Sequence, residues 1–122
     1  MRSPLTPVAP PVDLVKDFAA VVGGAPGKLR KVNLFETARF FCDVYVLTAG
    51  QAQAPHAHAA SDKIYAVLEG QGRVRVGGET FEVRAGHAVL CPAGADHGVE
   101  NPGPADLRLL VFMAPHPKPP TG

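Results

Sequence analysis

Short apolar segments, separated by turns that contain glycine or proline, follow one another from residue 32 to residue 114. Within residues 39–48, Cys42, Val44 and Val46 fall on one face of an extended chain, and the residues between them fall on the other. This period of two is typical of β-strands, and no segment in the region shows the period of a helix. The pattern predicts strands over residues 32–36, 39–48, 63–69, 72–76, 80–83, 88–91, 97–100 and 106–114. An all-β sandwich or small barrel is therefore expected.

One short helix is expected before the first strand. In residues 13–22 (DLVKDFAAVV), Asp13 is a candidate N-cap, and two glycines follow as a stop signal. Farther along, Gly77 and Gly78 predict a tight two-residue hairpin, because both tolerate positive φ. The chain then divides into a proline-rich arm with the short helix (1–30), a barrel (31–114) and a proline-rich tail (115–122).

Composition narrows the functional classes. The 122 residues suit a single domain, and 46% hydrophobic content excludes a wholly disordered chain. A formal net charge of +1 without a basic run argues against nucleic acid or an anionic membrane as partner. No apolar stretch approaches the ~18 residues of a membrane helix. Because two cysteines cannot form a disulfide framework, we expect a cytoplasmic protein.

Three histidines suggest metal chemistry. His56 and His58 are two residues apart, which in an extended segment places both side chains on one face with Cα atoms about 6.6 Å apart. Two such imidazoles can bind one cation at about 2.0–2.2 Å, and His97 from a later strand would complete a three-nitrogen cap with open positions. Taken alone, the pair is more typical of two solvated histidines in an alanine-rich loop.

The spacing of glycines around these histidines changes that interpretation. A first box contains Gly50, His56, His58 and Gly70, and a second contains Gly86, Pro92, Gly94, His97 and Asn101. The chain thereby resembles the cupin superfamily, whose two boxes have this order and spacing. The resemblance implies a double-stranded β-helix (jelly-roll) barrel of six to eight strands with a pocket at one mouth. It also implies a divalent transition metal in that pocket, with iron, manganese, nickel, cobalt and zinc all open.

The chain departs from the family at the fourth ligand, which is usually a glutamate. With six residues left before Gly70 the ligand position falls on Lys63, whereas with three residues left after His58 it falls on Asp62. The backward count is favoured, because the strand runs without interruption into Gly70. An inward Lys63 would repel a cation unless it were neutral. We expect a site of three histidines, with Asp62 as a fourth ligand if the loop bulges, and a metal-free barrel stays open as an alternative.

Other residues are candidates for the pocket wall or an interface. Tyr65 shares the face of Lys63, and Cys91 directly precedes the Pro92 turn. We expect a metal-dependent enzyme, a dioxygenase or an isomerase or lyase, that acts on a small polar or anionic molecule and uses Lys63 to pair with an anion. A non-catalytic module that senses or stores a ligand or metal is the alternative. A homodimer is also expected, with apolar surface from the segments 34–35 and 40–41.

Overall fold

The structure is a computed structural model that describes residues 13–118. Its strands are β1 (Arg30–Glu36), β2 (Phe41–Leu47), β3 (Ala52–His56), β4 (Asp62–Glu69), β5 (Gln71–Val76), β6 (Glu79–Arg84), β7 (Ala88–Cys91), β8 (His97–Glu100) and β9 (Leu107–Ala114). They form a five-stranded sheet in the order β1-β2-β9-β4-β7 and a four-stranded sheet in the order β3-β8-β5-β6. All the pairings are antiparallel. The predicted all-β barrel is confirmed.

The core lies between the two sheets. Leu107, Leu109 and Val111 of β9 are fully buried, and they belong to one cluster with Val74 and Val99 of the opposite sheet. Alternate residues of each strand point into this space because side chains alternate across a β-strand. The same alternation decides which polar side chains enter the barrel.

The strand prediction is correct apart from one omission. All eight predicted strands are present, with ends shifted by at most two residues. Val76 pairs with Glu79 across the predicted hairpin, in which Gly77 has φ 61°. The omitted strand is β3, whose Pro55 argues against a strand. Since β3 is the edge of its sheet and its register shifts between Gln53 and His56, the proline is accommodated there.

The predicted helix over residues 13–22 is wrong except for a 3₁₀ turn at Phe18–Ala20. The Asp17 side chain, rather than Asp13, caps this turn by accepting from the Ala19 N–H. Arginine side chains bind the backbone carbonyls that a helix would have used. Arg108 donates to Phe18 O and Val21 O at 2.9 Å each. Arg30 donates to the next two carbonyls, Val22 O and Gly23 O, at 3.0 Å each. Long-range contacts therefore replace the local hydrogen bonds of a helix.

Two further expectations concern the proline-rich ends of the chain and the membrane. Residues 1–12 of the proline-rich arm and 119–122 of the tail lie outside the described residues. Within residues 13–118, no helix combines the length and the hydropathy that crossing a membrane requires.

We predict that Gly98→Ala destabilises the fold. Gly98 lies in β8 where β3 approaches, and an added Cβ would lie 2.7 Å from Gln53 O and 3.0 Å from Pro55 N. Both atoms belong to the backbone, so the two strands would have to separate, at a cost of about 1–3 kcal/mol. Urea denaturation measures the effect. Gly78→Ala, whose Cβ would meet nothing within 4 Å, is the control and should change stability by less than about 0.5 kcal/mol.

Candidate metal centre

Three histidines converge where β3 and β8 meet. His56 ends β3 and pairs in register with His97, the first residue of β8. His58 follows in a loop held by a 2.8 Å hydrogen bond from Gly94 N to His58 O, and Gly94 has φ 84° in the turn that precedes β8. The ring centroids are 4.4 Å (His56–His97), 5.0 Å (His56–His58) and 5.7 Å (His58–His97) apart. One ring nitrogen from each lies within 4.8 Å of the others.

Backbone carbonyls orient two of the rings. Nδ1 of His56 lies 2.9 Å from Ala54 O, and Nδ1 of His97 lies 3.2 Å from Ala95 O. Because a carbonyl only accepts, each Nδ1 is the protonated nitrogen, and the lone pair of the neutral ring is on Nε2. Carbonyl partners of this kind commonly fix the tautomer of metal-binding histidines.

The Nε2 atom of His97 is the strongest sign that a cation belongs here. It is buried and has no hydrogen-bond partner among the residues described. A buried acceptor without a partner costs about 1–3 kcal/mol, so native proteins seldom leave one unused. A divalent cation shared with His56 and His58 would satisfy this lone pair. The residues present therefore fit a metal.

The surroundings of His58 and His97 keep both rings in the neutral form that binds metal. Burial, and then the charges of Lys63 and the neighbouring imidazoles, lower the pKa of His97 to about 4. Burial, and then the charges of His56 and Lys63, lower the pKa of His58 as well. Both imidazoles are consequently neutral at pH 7, and neutral imidazole is the ligand that transition metals require.

The structure places Lys63 inside the barrel and the Asp62 side chain on the surface, which is the opposite of what the forward count from His58 suggests. Asp62 is exposed, and its Oδ1 accepts a 2.9 Å hydrogen bond from Ala93 N, in the turn before β8. Within the described chain, the group of candidate ligands contains three histidines and does not include Asp62. Lys63 is only 2% exposed and points into the barrel with Tyr65, as the backward count and the strand alternation predict.

Lys63 is held by an amide and two aromatic rings. Its Nζ lies 3.2 Å from Gln53 Oε1, 5.0 Å from the centre of the Tyr65 ring and 5.5 Å from that of Tyr45. Burial and the nearby charge of Lys31 lower the pKa of Lys63 to about 8. At neutral pH the amine is therefore mostly charged, and the aromatic faces stabilise that charge.

Tyr65 and Cys91, the two other candidates for the pocket wall, are fully buried. The Tyr65 hydroxyl donates to Gln53 Oε1 at 2.6 Å, its ring centre is 6.2 Å from that of His97, and burial raises its pKa. Cys91 is fully buried opposite Lys63 in the β4–β7 pairing, and burial raises the pKa of its thiol to about 11. Both side chains therefore support the site as protonated, packed groups.

A cavity of about 440 Å³ opens beside the histidines. Its lining includes Lys31, Tyr45, Gln53, His56, His58 and Lys63. Sequence reasoning missed Gln53, Lys31 and Tyr45. For Gln53 the signal was weak, because it lies on the unpredicted strand β3. Tyr45 had a clearer signal, since it lies on a strand whose alternating faces were assigned correctly.

Comparisons with known proteins agree with this geometry. The protein TT1209 from Thermus thermophilus has a solved structure that is 42% identical, with a TM-score of 0.81, covering 84% of this chain and 97% of that one. An oxalate-binding protein from Thermotoga maritima is 30% identical over 85 residues, 70% of this chain and 69% of that protein. An uncharacterized protein from Methanocaldococcus jannaschii is 27% identical over 103 residues, 84% and 82% of the respective chains. The sequence profile described as "Cupin domain" matches residues 43–113. The chain belongs to the cupin family.

Proposed function

We propose that this cupin is a metal-dependent enzyme, of the oxygenase or the isomerase and lyase type, that acts on a small polar or anionic molecule. The observation that carries the proposal is the buried Nε2 of His97, which has no hydrogen-bond partner among the described residues and lies beside the rings of His56 and His58. Three imidazoles would hold iron, manganese, nickel, cobalt or zinc and leave positions for a substrate. The bound ion would supply Lewis acidity and, for iron, a place for dioxygen.

The chain's own residues would position the substrate. His56 and His58 line the cavity, so a molecule that enters it reaches the histidine face directly. Imidazole ligands bring no negative charge, so the full charge of the ion would remain available to attract an anion. The relative from Thermotoga maritima is an oxalate-binding protein, which makes oxalate a reasonable first compound to test.

A turnover assay tests the proposal. The protein is loaded separately with Fe(II), Mn(II), Ni(II), Co(II) and Zn(II) and given oxalate and a panel of small keto- and hydroxy-acids. Oxygen consumption and product formation are measured by electrode and chromatography. We expect turnover with at least one pairing and none in His97→Gln. Absence of turnover with every pairing, although metal binds, would contradict the enzyme assignment.

A non-catalytic module is the second candidate, and the inward Lys63 favours it. A buried ammonium close to the histidines weakens the binding of a cation. On this alternative the barrel binds a small ligand, with or without metal, and releases it unchanged. Stoichiometric ligand binding that is unaffected by removal of metal would support it over the enzyme.

We also propose that the protein forms a homodimer through the outer face of the five-stranded sheet. Leu90, Ile64 and Phe112 are neighbours in register across β7, β4 and β9, with exposures of 56%, 38% and 38%. Phe40 stacks on Phe112 at 5.2 Å and extends this apolar row, whereas Phe41 lines the cavity instead.

Light scattering checks the dimer. The wild type is expected to have twice the mass of one chain, and Ile64→Glu to have the mass of a monomer, because the charge would be buried at the interface. Phe81→Glu, at a residue with a similar exposure of 41% in the other sheet, is the control and should remain dimeric. A monomeric wild type would contradict the proposal.

A further inference from the structure

The cavity beside the histidines has an unusual balance of charge. Among the described residues that line it, two are lysines, Lys31 and Lys63, and none carries a carboxylate. The carboxylate that acts on the pKa of Lys63 is that of Asp43, which is half-buried and accepts a 2.8 Å hydrogen bond from Asn33. The cavity therefore combines a cationic wall with a face of imidazole rings.

The orientation of the Gln53 amide follows from its two partners. Lys63 Nζ and Tyr65 Oη lie 3.2 Å and 2.6 Å from the same side-chain atom of Gln53. An ammonium group can only donate, so that atom must be the amide oxygen, and the tyrosine hydroxyl must donate to it as well. Both lone pairs of Gln53 Oε1 are thus used. The amide of Gln53 also bonds the Tyr45 side chain, and Nε2, which only donates, has two N–H groups, so one of them is left to meet a ligand.

Lys63 also has N–H donors that make no hydrogen bond to the described residues. In the part of the chain that the structure describes, its one hydrogen bond is to Gln53, and no carboxylate forms an ion pair with it. An ammonium group has three N–H donors, and a buried charge without a counter-ion is costly. At the rim, Lys31 Nζ lies 5.1 Å from the centre of the Tyr45 ring. A ligand that accepts hydrogen bonds and carries negative charge would complement all of these groups.

We propose that Gln53 and Lys63 form a carboxylate-recognition site, so that the ligand of this cavity is a small organic acid whose carboxylate accepts hydrogen bonds from Gln53 Nε2 and Lys63 Nζ. The remainder of the acid faces His56 and His58 across the cavity. The inference deepens the proposed function and rests on it only for the contact with metal, because the carboxylate contacts need no ion. Gln53 is then a specificity-determining residue that orients Lys63 as well as binding the ligand.

Binding of matched acids and amides tests this inference. Oxalate, malonate and succinate, and the neutral diamide of each, are titrated into the full chain by calorimetry, once free of metal and once loaded with Mn(II). We expect at least one acid to bind in both forms and at least tenfold more tightly than its diamide. Lys63→Met should weaken that acid at least tenfold, because it keeps the length and apolar volume of the side chain but removes the charge.

Two further variants separate recognition from structure. Gln53→Glu preserves the size of the side chain and its acceptor for Lys63 and Tyr65, but the new carboxylate repels the ligand and neutralises Lys63. We expect at least a tenfold loss of acid binding with the thermal melting of the fold retained. Lys28→Met, at an exposed lysine that does not line the cavity, is the matched control and should change the affinity by less than threefold.

The outcomes distinguish this inference from the proposed function. Acid binding that is unchanged in Lys63→Met or Gln53→Glu, or equal affinity for acids and diamides, overturns the inference. A wild-type protein that binds Mn(II) but none of the acids also overturns it, while the metal site stands. If the protein binds no metal yet holds an acid in a Lys63-dependent way, the proposed metal-dependent function fails and the carboxylate site stands.

Discussion

Replacing Lys63 by glutamate is expected to tighten the binding of a divalent cation at least tenfold. Lys63 is buried inside the barrel, and its charge acts on both His58 and His97. A divalent cation and a unit charge about 5 Å apart repel by roughly 7 kcal/mol at an effective dielectric of about 20, an upper bound that water and relaxation reduce. Removing even a fifth of that repulsion would raise the affinity about tenfold. The glutamate also adds attraction.

Calorimetric titration with Mn(II) or Ni(II) measures this change. Lys63→Met should give an intermediate affinity, because it removes the repulsion and adds no ligand. Asp62→Ala is the matched control from the next residue and should leave the affinity unaltered, since the Asp62 carboxylate is exposed and bonded to Ala93 N. If Asp62→Ala strips the metal while Lys63→Glu has no effect, the roles assigned to these two residues are reversed. Equal affinity in all three variants would leave the histidines as the only ligands.

Replacing His97 is expected to have the opposite and larger effect. His97→Ala removes the one candidate ligand that is almost fully buried, with a side chain 1% exposed. Loss of a residue that merely supports a ligand typically costs 10–100-fold in metal affinity, so loss of the ligand itself should cost more than about a hundredfold. His87→Ala is the control, because His87 is exposed and its Nδ1 accepts from Arg84 N.

Thermal melting with and without metal gives an independent measure. Saturating metal stabilises only a folded state that binds it, by about 2.7 kcal/mol at a hundred times the dissociation constant. The wild type and His87→Ala should therefore melt at higher temperature when metal is added, and His97→Ala should not. An equal shift in His97→Ala would show that metal binds elsewhere on the chain.

The candidate site was predictable to the extent that it depends on strand alternation. His56 and His58 share a face of an extended segment, and Lys63 and Tyr65 share a face of β4, because side chains alternate along a strand. Counting along β4 correctly predicted an inward Lys63. The loop between His58 and β4 has no such regular period, so only the structure could show that Asp62 binds the turn at Ala93.

The parts that could not be predicted depend on residues far apart in the chain. The helix expected over residues 13–22 had reasonable local signals, yet Arg108, 90 positions from Phe18, takes the carbonyl there. Strand β3 had poor local signals, yet β8 pairs with it across a register shift. Gln53 lies on that strand, so its contact with Lys63 and Tyr65 was also hidden.

The sequence by itself determined the all-β class, the positions of eight strands, the hairpin at Gly77 and the three histidines that could share a cation. These follow from side-chain alternation, turn chemistry and motif spacing, which are properties of residues close together in the chain. Only the tertiary structure decided that Arg108 binds the carbonyls of Phe18 and Val21 where a helix was expected, and that Gln53 orients Lys63. The reason is physical: a backbone carbonyl or an amide oxygen accepts from whichever donor the completed fold brings to it, and local sequence does not specify that donor.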